Sequence, residues 1–161
     1  MKPVARTALV GTAAGVAAAF AMDVVQDGLA TLLERDRASD DRDEEVEAIE
    51  AVVRLVGTFV PGLASERRSH VTARALHYGF GIAFACAYVA ATRPLGWLAA
   101  GGGVAFGTGL FVLSDRILIP MLKLGRSWDR YSRSERLNAW ASHVAYGVVL
   151  EYVRRRALKR L

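Results

Sequence analysis

Apolar and charged residues are segregated into long blocks along this chain. Residues 8–22 carry no charged side chain, and neither do residues 94–114, whereas residues 34–50 are rich in acids and arginines. A soluble helical bundle needs a polar face on every helix, and these apolar blocks offer none. The pattern therefore predicts membrane-spanning helices joined by polar connectors.

Four blocks are long enough to be predicted as spanning helices. They cover about residues 4–33, 71–91, 96–120 and 137–153. The first block starts like a signal peptide, but its apolar character continues to Leu33, which favours a retained helix. Short or polar links predict antiparallel neighbours. The predicted fold is all-α: a single membrane domain, residues 1–161, folded as an integral four-helix antiparallel bundle.

The first connector, residues 34–70, has a pattern of its own. Apolar residues recur in it at helical spacing from Val46 to Phe59, and the stripe ends near Pro61. This stretch is too short and too charged to span a membrane. We therefore predict an additional amphipathic helix that lies at the membrane interface.

Glycines in two of the predicted spans are spaced for close helix packing. Gly11 and Gly15 form one GxxxG pair, and Gly103 and Gly107 form another. Such positions let helix backbones approach closely in lipid, where no hydrophobic force drives helices together. We predict helix contacts at both pairs.

Polar groups inside the predicted spans are the candidates for function, because ionisable side chains are costly to place in a bilayer. At 1.5 Å per residue they lie on the order of 7 to 15 Å inside the membrane face that bears the two charged connectors. We call this set the polar layer. Its members are Asp23, Gln26, Asp27, His77, Tyr78, Asp115, Arg116, Asn138, Ser142 and His143.

Asp115 and Arg116 are neighbours in the otherwise apolar run FVLSDRILIP. Adjacent side chains on an α-helix diverge by about 100°, so each needs a partner elsewhere. We predict Asp23 or Asp27 as the partner of Arg116, and His77 or His143 as the partner of Asp115.

Two interpretations of the polar layer stay open. Carboxylates near histidines could carry protons or bind a cation, because His is the side chain that titrates near neutral pH. Alternatively, the layer serves only to hold the helices in register.

Composition and motifs argue against several other classes. Cys86 is the single cysteine and the three histidines are scattered, so no disulfide or zinc motif is predicted. No GxSxG, P-loop, GxGxxG or HExxH motif occurs. We predict no enzymatic activity and no cofactor. A haem held by His77 and His143 is compatible with their similar depth, but no attachment motif supports it.

The net charge of +5 is concentrated near one end of the sequence, where RRRALKRL supplies five cations. A basic cluster after an apolar helix faces anionic lipid more often than nucleic acid, so the lipid bilayer is the predicted partner and nucleic acid is not. A homo-oligomer and a partner membrane or peripheral protein stay open. The two connectors hold twelve cations against eight on the side of the termini, but those eight lie directly at helix ends and the first connector is net acidic, which favours cytoplasmic termini. Glu151 is predicted to form a surface pair with Arg154 and Arg155.

Two segments resemble a known family. LHYGFGIAFACAY (76–88) resembles the helix-two signature of the YagU-like family of small bacterial inner-membrane proteins, and SHVAYGVVLEYVRRRALKRL (142–161) resembles that family's final helix. The resemblance implies a multi-pass protein of the bacterial inner membrane and no established activity. The family's third helix often lacks a clear Asp-Arg pair, so the resemblance supports His77 and His143 more than Asp115 and Arg116.

The leading hypothesis is a non-enzymatic inner-membrane protein whose polar layer organises the bundle and responds to protons or ions. The first alternative is a small oligomeric transporter or channel subunit. The second is a membrane anchor that docks a partner complex through its first connector, residues 34–70.

Overall fold

The computed structural model describes residues 2–33, 69–121 and 131–160. Helix α1 is Pro3–Leu33, α2 is Ser69–Ala91 and α4 is Arg133–Arg160. The third helix, α3, is α-helical over Val104–Phe111, π-helical over Val112–Leu118 and α-helical again over Ile119–Met121. Across the described ranges there is no strand, so the predicted all-helical fold with four helices is confirmed. The predicted interfacial helix, Val46 to Phe59, falls outside the described residues.

The third apolar block departs from the prediction of one helix over 96–120. Residues Gly96–Gly103 form a 3-10 segment that is interrupted from Ala100 onwards. Gly101, Gly102 and Gly103 have φ values of 62°, 68° and 103°. Positive φ suits glycine because a Cβ would be strained there. The glycine triplet therefore breaks the block, and α3 begins only at Val104.

The π-helical part of α3 coincides with the run that contains Asp115 and Arg116. The N–H of Ile119 donates to the carbonyl of Ser114, five residues earlier. Pro120 has no N–H, and its ring would clash with the carbonyl four residues earlier in a regular α-helix. The Ser114 hydroxyl also donates to the carbonyl of Leu110 at 2.9 Å, a bond that competes with α-helical pairing. Serine and proline together thus favour a wider turn, a feature frequent at functional sites.

The central pair of the bundle is α1 and α4, with α2 packed on α1 and α3 packed on α4. The Arg6 guanidinium donates to the carbonyl of Leu158 at 3.1 Å, and the Asn138 amide donates to the carbonyl of Gln26 at 3.1 Å. Twenty residues separate these contacts on each helix, so α1 and α4 run antiparallel in register for about 30 Å.

Both predicted GxxxG pairs lie at helix contacts. A Cβ added to Gly15 would lie 2.7 Å from Cα of Ile82 on α2, and one added to Gly107 would lie 2.9 Å from Cα of Val144 on α4. Gly11 and Gly103 make equivalent close approaches, to Cys86 and Gly147. No real Cβ tolerates such distances, so these glycines set the separation of α1 from α2 and of α3 from α4.

Many large apolar side chains lie on the outside of the bundle, and on α1 the side chains that face the interior are mostly alanines. On α1, Ala14 and Ala18 are fully buried, whereas Phe20 and Val24 are 61% and 54% exposed. The exposed large apolar residues are spread over all four helices. Soluble proteins bury such residues preferentially. This bundle therefore presents an apolar exterior.

Two stretches, Val4–Leu32 and Gly96–Met121, are long and apolar enough to cross a membrane. Length and composition alone do not separate such a stretch from a buried core helix or, near an N-terminus, from a signal sequence. A core helix is mostly buried, however, and here only 33% and 22% of the apolar windows are buried inside the bundle.

Candidate functional site

A cluster of three polar side chains joins α1 to α2; we call it the Asp23 cluster. Nε2 of His77 lies 3.0 Å from Oδ1 of Asp23. The Tyr78 hydroxyl donates to Oδ2 of the same carboxylate at 3.0 Å. Both oxygens of Asp23 thus face polar groups of α2. His77 and Asp23 remain partly exposed, so this cluster lies at the rim of the bundle.

A second cluster, the His143 cluster, joins α3 to α4 through Ser114, Asp115 and His143. Nε2 of His143 lies 3.1 Å from the Ser114 hydroxyl oxygen. Nδ1 lies 2.9 Å from the carbonyl oxygen of Ala139 and 3.5 Å from Oδ2 of Asp115. His143 is only 7% exposed. This histidine–carboxylate pair is therefore more enclosed than the Asp23 cluster.

The hydrogen bonds of His143 distinguish two protonation states. A carbonyl only accepts, so Nδ1 carries a hydrogen towards Ala139. The Ser114 hydroxyl has one hydrogen, and it donates that hydrogen to the carbonyl of Leu110. Ser114 can then only accept from His143, which requires a second ring hydrogen on Nε2. In this arrangement the ring is an imidazolium that faces the Asp115 carboxylate; a second arrangement fits the same contacts.

A neutral His143 ring requires a different arrangement of the same groups. With Nδ1 still protonated, Nε2 becomes an acceptor, and the Ser114 hydroxyl must turn its hydrogen from the Leu110 carbonyl to the ring. Leu110 lies two residues before the π-helical part of α3. The protonation of His143 is thus linked to hydrogen bonding at the start of that segment.

Uncharged members of the polar layer lie between the two clusters. The Asn138 side-chain amide donates to the backbone carbonyl of Gln26, and the Ser142 hydroxyl donates to the backbone carbonyl of Asn138 at 2.7 Å. Ser142 is fully buried and adjoins His143 in sequence. The polar groups therefore form a row across the bundle in the order α2, α1, α4, α3.

Two members of the predicted layer lie elsewhere. Asp27 and Arg116 are exposed on the outside of the bundle. Asp23, one of the two predicted partners of Arg116, is engaged by His77 and Tyr78. Asp115 lies beside His143, one of the two partners predicted for it. Spacing along the sequence indicated depth, but it did not indicate which helices are neighbours.

A third polar cluster lies at the opposite end of the bundle; it contains the predicted pairs of Glu151 with Arg154 and Arg155, but the carboxylate is not at the surface. Glu151, predicted to be in a surface pair, is only 1% exposed. Its carboxylate accepts from the Tyr88 hydroxyl at 2.8 Å, from Arg154 at 2.6 and 2.9 Å, and from Arg155. These four residues are the Glu151 cluster. Hydrogen bonding to Glu151 raises the pKa of Arg154 above its ordinary value.

The missing element in that prediction was Tyr88. Sequence spacing paired Glu151 with its neighbouring arginines, but Tyr88 is 63 residues away on α2. A tyrosine in an apolar helix is a signal in its own right, since a buried phenol hydroxyl generally finds a partner. That signal could have indicated that Glu151 points inward.

The two histidines serve different helix pairs. His77 on α2 faces Asp23 on α1, whereas His143 on α4 faces Ser114 and Asp115 on α3. This arrangement does not place the two rings as opposing ligands of one haem. Over the described ranges, no group of three His, Cys, Asp or Glu side chains is placed to hold a metal ion.

Comparison of the chain with protein-family models, with curated proteins and with solved structures finds no match. The resemblance to the YagU-like family therefore stays a prediction. Function has to be argued from the geometry of the bundle itself.

Proposed function

We propose that this chain is a multi-pass protein of the bacterial inner membrane, with four spanning helices, cytoplasmic termini and a proton-responsive polar layer. The apolar exterior supports membrane embedding: on α1, Phe20 and Val24 face outward while Ala14 and Ala18 face the interior. In a bilayer these outward apolar side chains contact lipid, whereas in water they would form a large exposed apolar surface, which soluble monomeric proteins rarely have. The resemblance to the YagU-like family agrees with this proposal.

The charge pattern of α4 is compatible with a span. Between Arg136 and Arg154 the helix has 17 residues, which cover about 26 Å. The hydrocarbon core of a bilayer is roughly 30 Å thick. Glu151 is the one charged side chain, besides the histidine, within that interval, and Arg154 and Arg155 neutralise it. Long arginine side chains can reach the interface from the ends.

The His143 cluster is the observation that carries the proposed proton response. It combines a buried histidine, a facing carboxylate and a serine hydroxyl that can bond either the ring or the Leu110 carbonyl. Loss of one proton would redirect one hydrogen bond at the start of the π-helical segment. Proton binding is thus coupled to the backbone of α3, which is what a response to protons requires.

Membrane embedding is tested by extraction from isolated membranes. We expect the protein to stay in the membrane fraction after alkaline carbonate and high salt, and to require detergent for release. Flotation with phosphatidylcholine vesicles after reconstitution gives the same answer without other proteins. Release by carbonate as a monomeric, folded protein would contradict the proposal.

The proton response is tested by nuclear magnetic resonance in lipid nanodiscs. With labelled histidine nitrogens and leucine carbonyl carbons, we expect the Leu110 carbonyl resonance to move as Nε2 of His143 loses its proton across a pH series. Ser114→Ala should leave the ring able to titrate but abolish the movement at Leu110. A Leu110 resonance that ignores the protonation of His143 in the unmodified protein would refute the coupling.

Two aspartates provide a matched pair of variants. Asp115→Asn removes the carboxylate that faces the His143 ring, so the movement of the Leu110 carbonyl resonance across the pH series should change. Asp27→Asn makes the same chemical change at an exposed position and should leave that movement as it was. Equal changes in both variants would mean that the local pair does not set the response.

The two alternative functions stay predictions. The docking connector of the anchor hypothesis, residues 34–70, falls almost wholly outside the described residues. No described contact favours the transporter hypothesis over a proton-responsive bundle.

A further inference from the structure

Charges of the described residues are divided unequally between the two ends of the bundle. At the end that holds the Glu151 cluster, eight cations accompany Glu151, the one acid described there. We call this the basic end. Its cations are Lys2, Arg6, Arg93, Arg154, Arg155, Arg156, Lys159 and Arg160.

At the other end of the bundle, the described residues include equal numbers of acidic and basic side chains. Its acids are Asp23, Asp27, Asp115 and Glu135, and its arginines are Arg74, Arg116, Arg133 and Arg136. The antiparallel register brings the cations of the basic end together from distant parts of the chain, since Arg6 of α1 contacts Leu158 of α4. The basic end is thus a product of the fold as well as of the sequence.

An apolar groove lies between α1 and α2 beside the basic end. It is lined by Val4, Thr7, Ala8, Cys86 and Ala90 and has a volume of about 410 Å³. That volume lies within the usual range for small-molecule sites, about 300–1,000 Å³. Val4 and Ala90 are themselves exposed, so the groove opens on the apolar exterior of the bundle.

Two exposed cations flank this groove in sequence. Lys2 precedes Val4 by two residues, and Arg93 follows Ala90 by three. An occupant that suits the site is therefore apolar along its length and anionic at its end. Within the part of the chain that the structure describes, no acid near the groove opposes an anion, because Glu151 is buried and already bonded to Tyr88 and two arginines.

We infer that the groove between α1 and α2 binds an anionic phospholipid, with an acyl chain against Ala8 and Ala90 and the headgroup phosphate at Lys2 and Arg93. Basic pockets between membrane helices are a recurrent way of holding anionic headgroups. The inference rests on the proposed membrane location, because only there does a lipid meet the groove from the side.

The inference is tested by native mass spectrometry of the full chain in detergent, titrated with phosphatidylglycerol or phosphatidylcholine. We expect phosphatidylglycerol to bind more tightly. The double variant Lys2→Gln, Arg93→Gln should weaken that binding roughly 25-fold, because each of the two cations near a headgroup contributes about a factor of five. The matched control Arg74→Gln, Arg133→Gln removes two exposed cations from the other end of the bundle and should change nothing.

A second pair of variants tests the groove without changing charge. Ala90→Phe fills the groove and should weaken binding of both lipids, whereas Ala83→Phe adds the same ring at another exposed position of α2. Inorganic phosphate should not compete, because it lacks the acyl chain.

The outcomes separate this inference from the proposed membrane location. Equal binding of the two lipids, or equal effects of each variant and its control, would overturn the inference. Membrane location would still stand if the protein floats with phosphatidylcholine vesicles. Failure to float with them would overturn both.

Discussion

At the scale of single residues, Glu151 illustrates how a charge is accommodated inside this bundle. Its carboxylate has four hydrogen-bond donors, two of them from the same arginine and one from a tyrosine on another helix. Burying a charge is tolerated only when it is paired and hydrogen-bonded. The side chains around Glu151 therefore form a unit, and removing the carboxylate leaves the Tyr88 hydroxyl and the Arg154 guanidinium without their shared acceptor.

Glu151→Gln should destabilise the folded protein by about 2 to 3 kcal/mol, because an amide cannot accept from all of these donors and the arginines lose their counter-charge. Tyr88→Phe, which removes one neutral donor, should cost about 1 kcal/mol. Chemical unfolding in detergent micelles, followed by circular dichroism, measures both. Asp27→Asn, at an exposed carboxylate, is the control. A Glu151→Gln protein as stable as that control would show that the cluster adds nothing to stability.

The sequence could predict at what level along the helices the polar side chains lie. Counting residues from the helix ends placed Asp23, His77, Asp115 and His143 near one level, and the structure brings them into two pairs at helix contacts. The pairing itself could not be predicted. It depends on α2 lying beside α1 and α3 beside α4, and periodicity contains no information about neighbours.

At the scale of helices, glycine determines how closely the elements approach. Gly107 faces the backbone of α4, while Gly109, two residues later on the same helix, has no atom near the position of a Cβ. Two identical substitutions on one helix can therefore separate packing from helix propensity.

Gly107→Ala should destabilise the bundle by about 1 to 3 kcal/mol, because the methyl group would push α3 away from α4. Gly109→Ala should be neutral or stabilising by up to about 1 kcal/mol, since alanine is the better helix former. Thermal unfolding of both variants in detergent gives the comparison. Equal stabilities would mean that α3 and α4 are not in close contact.

The same comparison is available on α1. Gly15→Ala would place a methyl group against the backbone of Ile82, whereas Gly28 has open space around it. We expect Gly15→Ala to lower the melting temperature and Gly28→Ala to leave it unchanged or raised, by the same physical argument. The pair should be measured under the conditions used for α3, so that the two helix contacts can be ranked.

Helix boundaries were predictable where the apolar pattern was uninterrupted and failed where glycines clustered. The first block, predicted over 4–33, is Pro3–Leu33 in the structure. The third was predicted from residue 96 because its composition is apolar, yet three consecutive glycines adopt positive φ and delay the helix to Val104. The π-helical part was equally hidden, because it depends on Ser114 and Pro120 acting together on one stretch of backbone.

At the scale of the whole molecule, the number of membrane-spanning helices determines on which side of the membrane each charged residue lies. If all four helices span, Lys2, Arg93 and Lys159 lie on one side of the membrane and Arg133 lies on the other. If only the two most apolar stretches cross, Arg93 lies opposite Lys2, and Arg133 joins the side of Lys2.

Single cysteines introduced into a Cys86→Ala background distinguish these topologies. We expect a membrane-impermeant maleimide applied to spheroplasts to label Arg133→Cys and to leave Lys2→Cys, Arg93→Cys and Lys159→Cys unlabelled until the membrane is permeabilised. Labelling of Arg93→Cys in intact spheroplasts, with Arg133→Cys protected, would establish two crossings and refute the four-span proposal. The exposed side chains chosen here should tolerate the change.

The pairing of α1 with α4 also has a consequence for assembly. The contacts Arg6–Leu158 and Gln26–Asn138 join positions 152 and 112 residues apart. During synthesis α1 and α2 emerge first and can form a hairpin, with Asp23 already engaged by His77 and Tyr78. The face of α1 that receives α4 stays uncovered until α4 has been translated, and contacts of such separation form late. A ribosome stalled before α4 would therefore hold α1 and α2 with that face of α1 uncovered.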